Sequence, residues 1–249
     1  MTYPDEDEDD ATTRPEMARL RQRIAELEHI NADLQRQLGE RTQELSLFVE
    51  KTLRRHDAIL EALGFAAERF LQTTLEESIM TVLERLGTAA GVSRVYLFEN
   101  HRGPDEALRM SQRYEWVASG TVPQIDNPEL QNLSYQAGGF ARWENVLQQG
   151  YSIYGKVSTF PEEERAILEP QDIQSIAVVP IFACQQWWGF IGFDDCEHPH
   201  PWSVSEISIL RAAATIIGAA IEHEHMQRAL RESERKFRWF LSNPTTAWC

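Results

Sequence analysis

Three consecutive stretches decide the fold: Ser175-Ile-Ala-Val-Val-Pro-Ile-Phe-Ala183, then Cys184-Gln-Gln186, then Trp187-Trp-Gly-Phe-Ile-Gly-Phe-Asp194. The two outer stretches are rich in β-branched and aromatic residues, which favour β-strands. The three residues between them form a connection short enough for an antiparallel hairpin. The sequence therefore predicts two neighbouring strands of an antiparallel sheet.

A second pair of strands is predicted upstream, over residues 94–99 and 108–118. Gly103 and Pro104 lie in the connection between them, which is the composition of a hairpin turn. Between the two pairs, residues 119–174 are interrupted repeatedly by proline and glycine. This middle segment is predicted to be irregular, with short helices near 127–133, 139–149 and 161–168.

Helices are predicted on both sides of these strands. Apolar residues between 60 and 86 form a broad face that is suited to packing on a sheet. Ser203-Val-Ser-Glu206 has the pattern of a capping box and stands directly before an apolar run. That last helix becomes mostly polar after Ile221, which predicts a helical linker leaving the domain.

A heptad pattern precedes the domain. Positions with spacings of four and three carry mostly large apolar residues: Leu20, Ile24, Leu27, Asn31, Leu34, Leu38, Arg41, Leu45, Phe48 and Thr52. A helix cannot bury so narrow a stripe by itself, so a partner helix is expected. Asn31 falls at an a position, where a paired asparagine favours a parallel, in-register dimer.

Together these residue strings resemble a GAF domain over residues 75–225. The motifs that carry the resemblance are Ser93-Arg-Val-Tyr-Leu-Phe-Glu-Asn100, Ser175-Ile-Ala-Val-Val-Pro-Ile181, Trp187-Trp-Gly-Phe-Ile-Gly-Phe-Asp-Asp195 and Trp202-Ser-Val-Ser-Glu206. Residues 230–241 resemble the first helix of a PAS domain, and the eight residues after them are too few for a PAS core. The resemblance identifies a fragment of a bacterial-type multi-domain signalling protein, in which a histidine kinase or a cyclic-dinucleotide enzyme usually follows.

The resemblance implies an α+β fold, in which helices flank a GAF-like antiparallel sheet. The expected organisation is a disordered acidic leader over 1–15, a coiled-coil helix over 16–60, the GAF domain over 61–225, and a linker helix with a truncated PAS start over 226–249. In a GAF domain the first and last helices pack on one face of the sheet. A small-molecule pocket lies on the other face, under the irregular middle segment.

The pocket candidates are aromatic. Trp116, Trp143 and Tyr154 lie in or beside the middle segment, where a small planar ligand could stack, although packing in the core explains any one of them better. Bilin-binding GAF domains attach the pigment through a cysteine in this segment, and residues 119–183 contain none. Covalent bilin is therefore not expected, and the ligand stays unknown.

No metal site is predicted. Cys196-Glu-His198-Pro-His200 offers possible metal ligands within five residues, but a surface loop between the last strand and the last helix explains it better. His56 lies on a helix without the sequence context of a phospho-accepting histidine. The sequence contains no kinase, cyclase or phosphate-loop motif, so the fragment is expected not to be an enzyme.

Charge and cysteine content restrict the partners. The net charge is −15 and no dense basic patch offsets it, so neither nucleic acid nor a membrane surface is an expected partner. Three scattered cysteines and the lack of a signal peptide point to the cytoplasm.

The predicted function is a sensor that binds a small ligand in the GAF pocket and passes a conformational signal along dimeric helices. Two alternatives stay open at this stage. One is a GAF module that only dimerises and spaces other domains. The other is a redox enzyme that uses Cys184 and Cys196.

Overall fold

The computed structural model describes the backbone of residues 8–242 and the side chains of residues 17–239. The chain divides into two compact units between Arg54 and Arg55. Helix α1 (Glu8–Gln72) contributes to both units. It continues without a break through the predicted domain boundary at 60/61, and it already contains residues 8–15, which the sequence assigns to the leader. Residues 1–7 of that leader lie outside the described residues.

The first unit is the N-terminal part of α1. The seven apolar residues of the heptad pattern are between 51% and 68% exposed there: Leu20, Ile24, Leu27, Leu34, Leu38, Leu45 and Phe48. Its polar faces carry ion pairs three or four residues apart, such as Arg36 with Asp33 and Arg54 with Glu50. An amphipathic helix of this length leaves its apolar stripe in solvent unless another helix covers it.

The second unit is built around one six-stranded antiparallel sheet, in the order β3-β2-β1-β6-β5-β4. Its strands are β1 (Arg94–Arg102), β2 (Leu108–Val117), β3 (Leu133–Ser134), β4 (Ile153–Lys156), β5 (Ser175–Ala183) and β6 (Gln186–Asp195). The four strands predicted from sequence are confirmed. The two short edge strands β3 and β4 were not predicted.

The predicted β5–β6 hairpin is present. Its two turn residues, Cys184 and Gln185, both have positive φ, at 50° and 61°. Two central turn residues with positive φ are characteristic of a type I′ turn, whose twist matches that of the strands it joins.

A helical layer covers one face of the sheet. It consists of the C-terminal part of α1, α2 (Leu75–Ala90) and α5 (Val204–Ser242). The largest core cluster lies between this layer and the sheet, and it includes Ile79, Leu83, Leu97, Phe193 and Ile217. This is the arrangement that the GAF resemblance implies.

Two glycines allow the helices of this layer to approach the sheet closely. A Cβ atom at Gly87 of α2 would overlap the ring of Trp116, and one at Gly218 of α5 would overlap the carbonyl oxygen of Phe182. Larger residues at either position would push the helix away from the sheet.

The capping box predicted at the start of α5 is confirmed. The Glu206 N–H donates to Ser203 Oγ at 3.2 Å, and the Ser203 N–H donates to Glu206 Oε2 at 2.9 Å. By length and composition α5 could cross a membrane. Its apolar residues, however, lie in the core against the sheet, as Leu210, Ala213 and Ile221 show.

The middle segment covers the opposite face of the sheet. It contains α3 (Ala141–Leu147), α4 (Glu162–Leu168) and 3-10 turns at Pro128–Leu130, Val157–Thr159 and Glu169–Gln171. The predicted helices near 139–149 and 161–168 are thus present in shorter form. The helix predicted near 127–133 is wrong, because only the first 3-10 turn forms there before the chain extends into β3.

Candidate functional site

A small cavity lies between the sheet and the middle segment. Its volume is about 30 Å³, which is the scale of a few water molecules. The walls combine aromatic and aliphatic side chains with a cluster of buried polar ones. The residues that line it include Arg94, Gln112, Glu115, Trp143, Phe190 and Asp194.

A β-bulge in β2 brings two of these polar residues to the same face. Gln112 is paired with Phe98 and Tyr114 with Leu97, so Arg113 is left without a partner across the strands. Residues three apart on a regular strand point to opposite faces. The extra residue reverses that parity, and Gln112 and Glu115 therefore both line the cavity.

Arg94 and Asp194 are paired positions on the adjacent strands β1 and β6. Arg94 Nε lies 3.5 Å from Asp194 Oδ2, and the two side chains are only 1% and 2% exposed. Burial raises the pKa of Asp194, and the charge of Arg94 lowers it in part. A buried ion pair of this kind is retained only where further hydrogen bonds support it.

Those further bonds tie Arg94 to the covering segment. Its Nη1 donates to the carbonyl oxygen of Val122 at 3.3 Å, and its Nη2 donates to that of Gln171 at 2.9 Å. The guanidinium thus joins the two ends of the middle segment to the sheet.

Tyr96 completes the polar cluster. Its hydroxyl donates to Asp194 Oδ1 at 2.9 Å. The ring reaches Asp194 by crossing Gly192, its paired position on β6, where a Cβ atom would overlap the ring. Burial, followed by the charge of Asp194, raises the pKa of Tyr96, so the hydroxyl keeps its proton.

Glu115 uses one carboxylate oxygen to hold the covering segment. Its Oε2 accepts the backbone N–H groups of Gln124 at 2.7 Å and Ile125 at 2.9 Å. Its other oxygen, Oε1, is buried without a hydrogen-bond partner among the described residues, and so is Gln112 Oε1. Both atoms belong to residues that line the cavity.

Aromatic rings form the apolar walls. Phe98 and Phe190 stack with their centroids 4.9 Å apart, and Trp143 meets Phe190 edge to face at 5.9 Å. The Trp143 indole Nε1 donates to Glu164 Oε2 at 2.9 Å, which fixes the orientation of its ring. Glu164 also receives two hydrogen bonds from Arg142, at 2.7 and 2.6 Å.

Of the three residues predicted for the pocket, the structure brings only Trp143 to this cavity. Trp116 lies on the helical face of the sheet, against Gly87. Tyr154 is 41% exposed on the edge strand β4.

The polar cluster was not predicted from the sequence, although each strand carries a signal for it. Arg94 begins a strand whose next four residues are apolar, and Asp194 ends another apolar strand. A charged residue at the end of a buried strand requires a partner, and paired strands can supply it.

Among the described residues, the cysteine and histidine side chains do not form a second site. Burial raises the pKa of the Cys196 thiol to about 11, which keeps it protonated at neutral pH, and Cys184 is exposed. His198 is 82% exposed, whereas His200 Nε2 lies 3.2 Å from Glu206 Oε1. In the part of the chain that the structure describes, no group of three or more such side chains could hold a metal ion.

Comparison with known proteins establishes the family. The model of the GAF domain family matches residues 74–221. The chain belongs to the GAF domain family. Both this match and the helices on one face of the sheet agree with the fold that the sequence predicts.

One relative of this GAF chain is the methanogenesis regulatory histidine kinase FilI of Methanothrix harundinacea. The two are 44% identical over 169 residues, which make up 68% of this chain and 19% of that protein. The chain thus spans about a fifth of the length of that relative. The relative is a signalling protein, which is the class that the sequence predicts.

Solved GAF domains have the same fold. The phycocyanobilin-bound GAF domain of a cyanobacterial phytochrome has a TM-score of 0.55 and 18% identity, and covers 68% of this chain and 96% of its own. A phycoerythrobilin-bound GAF domain of a cyanobacterial phytochrome covers the same shares, with a TM-score of 0.56 and 17% identity. At this identity the likeness describes the fold alone.

The residues of this GAF domain do not fit a bilin. A tetrapyrrole is many times larger than the cavity of about 30 Å³. The middle segment also supplies no cysteine for attachment, since residues 119–183 contain none.

Proposed function

We propose that this chain is the sensory part of a cytoplasmic signalling protein, and that its GAF domain binds a small molecule in the cavity under the middle segment. The fragment itself acts without catalysis. An output domain of the histidine-kinase type, as in the FilI relative, would receive the signal elsewhere in the full protein.

The observation that carries this proposal is the polar cluster at the cavity. Buried polar atoms are nearly always hydrogen-bonded, so each exception requires an explanation. Gln112 Oε1 and Glu115 Oε1 are two such exceptions beside one cavity, and Arg94 Nε is a third. A bound molecule that donates hydrogen bonds would satisfy both oxygens.

A route for the signal follows from the alternation of side chains along the strands. In β1, Tyr96 and Phe98 belong to the cavity cluster, whereas Val95 and Leu97 pack in the cluster beneath the helices. A shift of β1 on ligand binding would therefore move the packing of α1 and α5. Interiors are close-packed, so such a shift is transmitted rather than absorbed.

The proposal includes a parallel homodimer formed by the heptad residues of α1. Helices that leave a domain as a pair can pass on a small rotation or a change of register. Neither nucleic acid nor a membrane surface is a partner in this proposal.

The second candidate is a structural GAF module that only dimerises and spaces its neighbours. The small volume of the cavity favours it, because sites for drug-sized ligands are much larger. The unpaired oxygens favour the sensor.

Native mass spectrometry of the freshly purified protein, followed by denaturing mass on the same sample, tests the sensor. We expect a dimer that carries a non-covalent adduct, which is lost on denaturation. The variant Met110→Trp fills the cavity, which Met110 lines, and should lose the adduct. The matched control is Met80→Trp, because Met80 is 46% exposed on α2.

Hydrogen–deuterium exchange on the same proteins tests the route. Removal of the adduct should change the protection of residues 55–72 and 205–225, which lie in α1 and α5. The structural module would be the function if the dimer carries no adduct and if Met110→Trp shows the same hydrogen–deuterium exchange as the wild type.

A further inference from the structure

The two unpaired oxygens of the cavity share one chemical requirement. Gln112 is 3% exposed and Glu115 is 9% exposed, and the free Oε1 atom of each accepts hydrogen bonds. The other oxygen of the Glu115 carboxylate, Oε2, already accepts hydrogen bonds from two backbone N–H groups. A molecule that satisfies both free oxygens must therefore supply donors.

The ionisable groups at the cavity favour a positive ligand. One cation, Arg94, faces two carboxyl groups, Glu115 and Asp194. Burial raises the pKa of Asp194 to about 7 despite the neighbouring guanidinium, and Glu115 contributes to that rise. The carboxyl groups thus outnumber the cations at the cavity by two to one, which favours a positive ligand over an anion.

The three side-chain nitrogens of Arg94 face other groups of the protein. Both of its terminal nitrogens donate to backbone carbonyl oxygens, and its Nε faces Asp194. An arginine that binds a carboxylate or a phosphate uses two parallel N–H groups of one edge. Here Nη1 and Nη2 each already hold one carbonyl oxygen, and Nε, which has no hydrogen-bond partner among the described residues, lies 3.5 Å from Asp194 Oδ2.

The apolar walls are suited to a cation as well. The rings of Phe98, Phe140, Trp143 and Phe190 all line the cavity. The face of an aromatic ring attracts a cation, and the attraction grows when water is excluded.

We propose that the cavity takes a small organic cation with several N–H donors, of the amine or amidine class, whose N–H groups donate to Glu115 Oε1 and Gln112 Oε1. This inference rests on the proposed sensory function and narrows its ligand. The volume of the cavity limits the ligand to a few non-hydrogen atoms unless the covering segment moves.

Three probes of nearly the same shape test which ligand charge the cavity prefers, with all 249 residues of the chain present. Acetamidinium, acetamide and acetate have the same number of non-hydrogen atoms and carry charges of plus one, zero and minus one. Each is titrated at millimolar concentration and constant ionic strength, with the thermal unfolding midpoint and calorimetric affinity as readouts. We expect acetamidinium to raise the midpoint and to bind at least about tenfold more tightly than the other two, which is the size of one charge-assisted hydrogen bond.

Two variants assign the contact. Glu115→Gln keeps the shape and removes the charge, and Gln112→Met removes the amide oxygen. Each should weaken acetamidinium binding by about tenfold or more. The control Glu162→Gln makes the same change of charge on an exposed residue and should leave the affinity unchanged. If Glu115→Gln fails to fold, the wild-type probe series and Gln112→Met still decide the question.

The outcomes separate this inference from the proposed function. Tighter binding of acetamide or acetate than of acetamidinium would overturn the cation inference and leave the sensor standing. Binding that no cavity variant alters would place the cation elsewhere and overturn it too. No binding of any probe, together with a preparation free of adduct, would overturn both.

Discussion

At the scale of single residues, Gly192 decides whether the polar cluster can form. The ring of Tyr96 crosses the strand at this position, and its hydroxyl then reaches Asp194. The position of the Tyr96 ring and its hydrogen bond to Asp194 therefore both require that residue 192 has no side chain.

Gly192→Ala should therefore lower the free energy of unfolding by about 1–3 kcal/mol, because the displaced ring leaves a buried hydrogen bond to Asp194 unmade. Chemical denaturation monitored by circular dichroism measures the change. Gly64→Ala is the matched control: nothing lies within 4 Å of the added methyl in α1, and alanine favours a helix over glycine. Equal stabilities for the two variants would contradict the role given to Gly192.

At the scale of elements, the start of α5 is held by more than its own cap. Glu206 accepts from Ser203 within the capping box, faces His200 at 3.2 Å and lies 3.4 Å from Arg55 of α1. The carboxylate thus connects the helix that leaves the domain with the helix that enters it.

This arrangement gives a pH dependence of known sign. Burial alone would raise the pKa of Glu206, but hydrogen bonds from His200 and Ser203 lower it from 4.5 to about 2. The folded protein then holds this proton less tightly than the unfolded chain, so the stabilisation is complete above about pH 5 and is lost as the pH falls towards 2. The difference in unfolding free energy between wild type and Glu206→Gln should shrink over that interval, whereas Glu162→Gln should show no such trend.

The elements also show what the sequence could predict. Long strands of β-branched and aromatic residues and a capping box are local signals, and they placed β1, β2, β5, β6 and the start of α5. The edge strand β4 has only four residues and contains Gly155 at a φ of 147°, so its pairing with β5 determines it rather than its composition.

The pocket was predicted less well than the fold, for a reason that lies in β2. On a regular strand Gln112 and Trp116 share a face, and Glu115 lies on the other. The extra residue Arg113 reverses the alternation of side chains in the second half of the strand. Glu115 therefore faces the cavity, and Trp116 faces the helices. Nothing in the composition of residues 110–116 marks the extra residue.

At the scale of the whole molecule, the heptad residues of α1 remain an exposed apolar stripe in the single chain. We expect a parallel dimer to cover it. Leu27→Glu combined with Leu34→Glu places charges in the seam and should give a monomer by light scattering. Ala25→Glu with Ala32→Glu makes the same change of charge at b positions and should leave the dimer intact.

The direction of the two chains can be measured separately. In a parallel, in-register coil the two copies of residue 31 face each other, so Asn31→Cys should form a disulfide between chains under mild oxidation. Wild-type protein treated in the same way controls for its own cysteines. A dimer without this link would refute the parallel arrangement and, with it, the proposed symmetrical transmission.

The bulge in β2 leaves residue 113 outside the pairing that fixes the two faces of the sheet. Arg113 is exposed and forms a surface ion pair with Glu99, so most substitutions there should be mild. Deletion of Arg113 would remove the extra residue and leave Tyr114, Glu115 and Trp116 opposite the same residues of β1, so Glu115 would still face the cavity and Trp116 the helices. Relatives of this chain can therefore vary the amino acid at this position, or lack it altogether, without exchanging the two faces of the sheet.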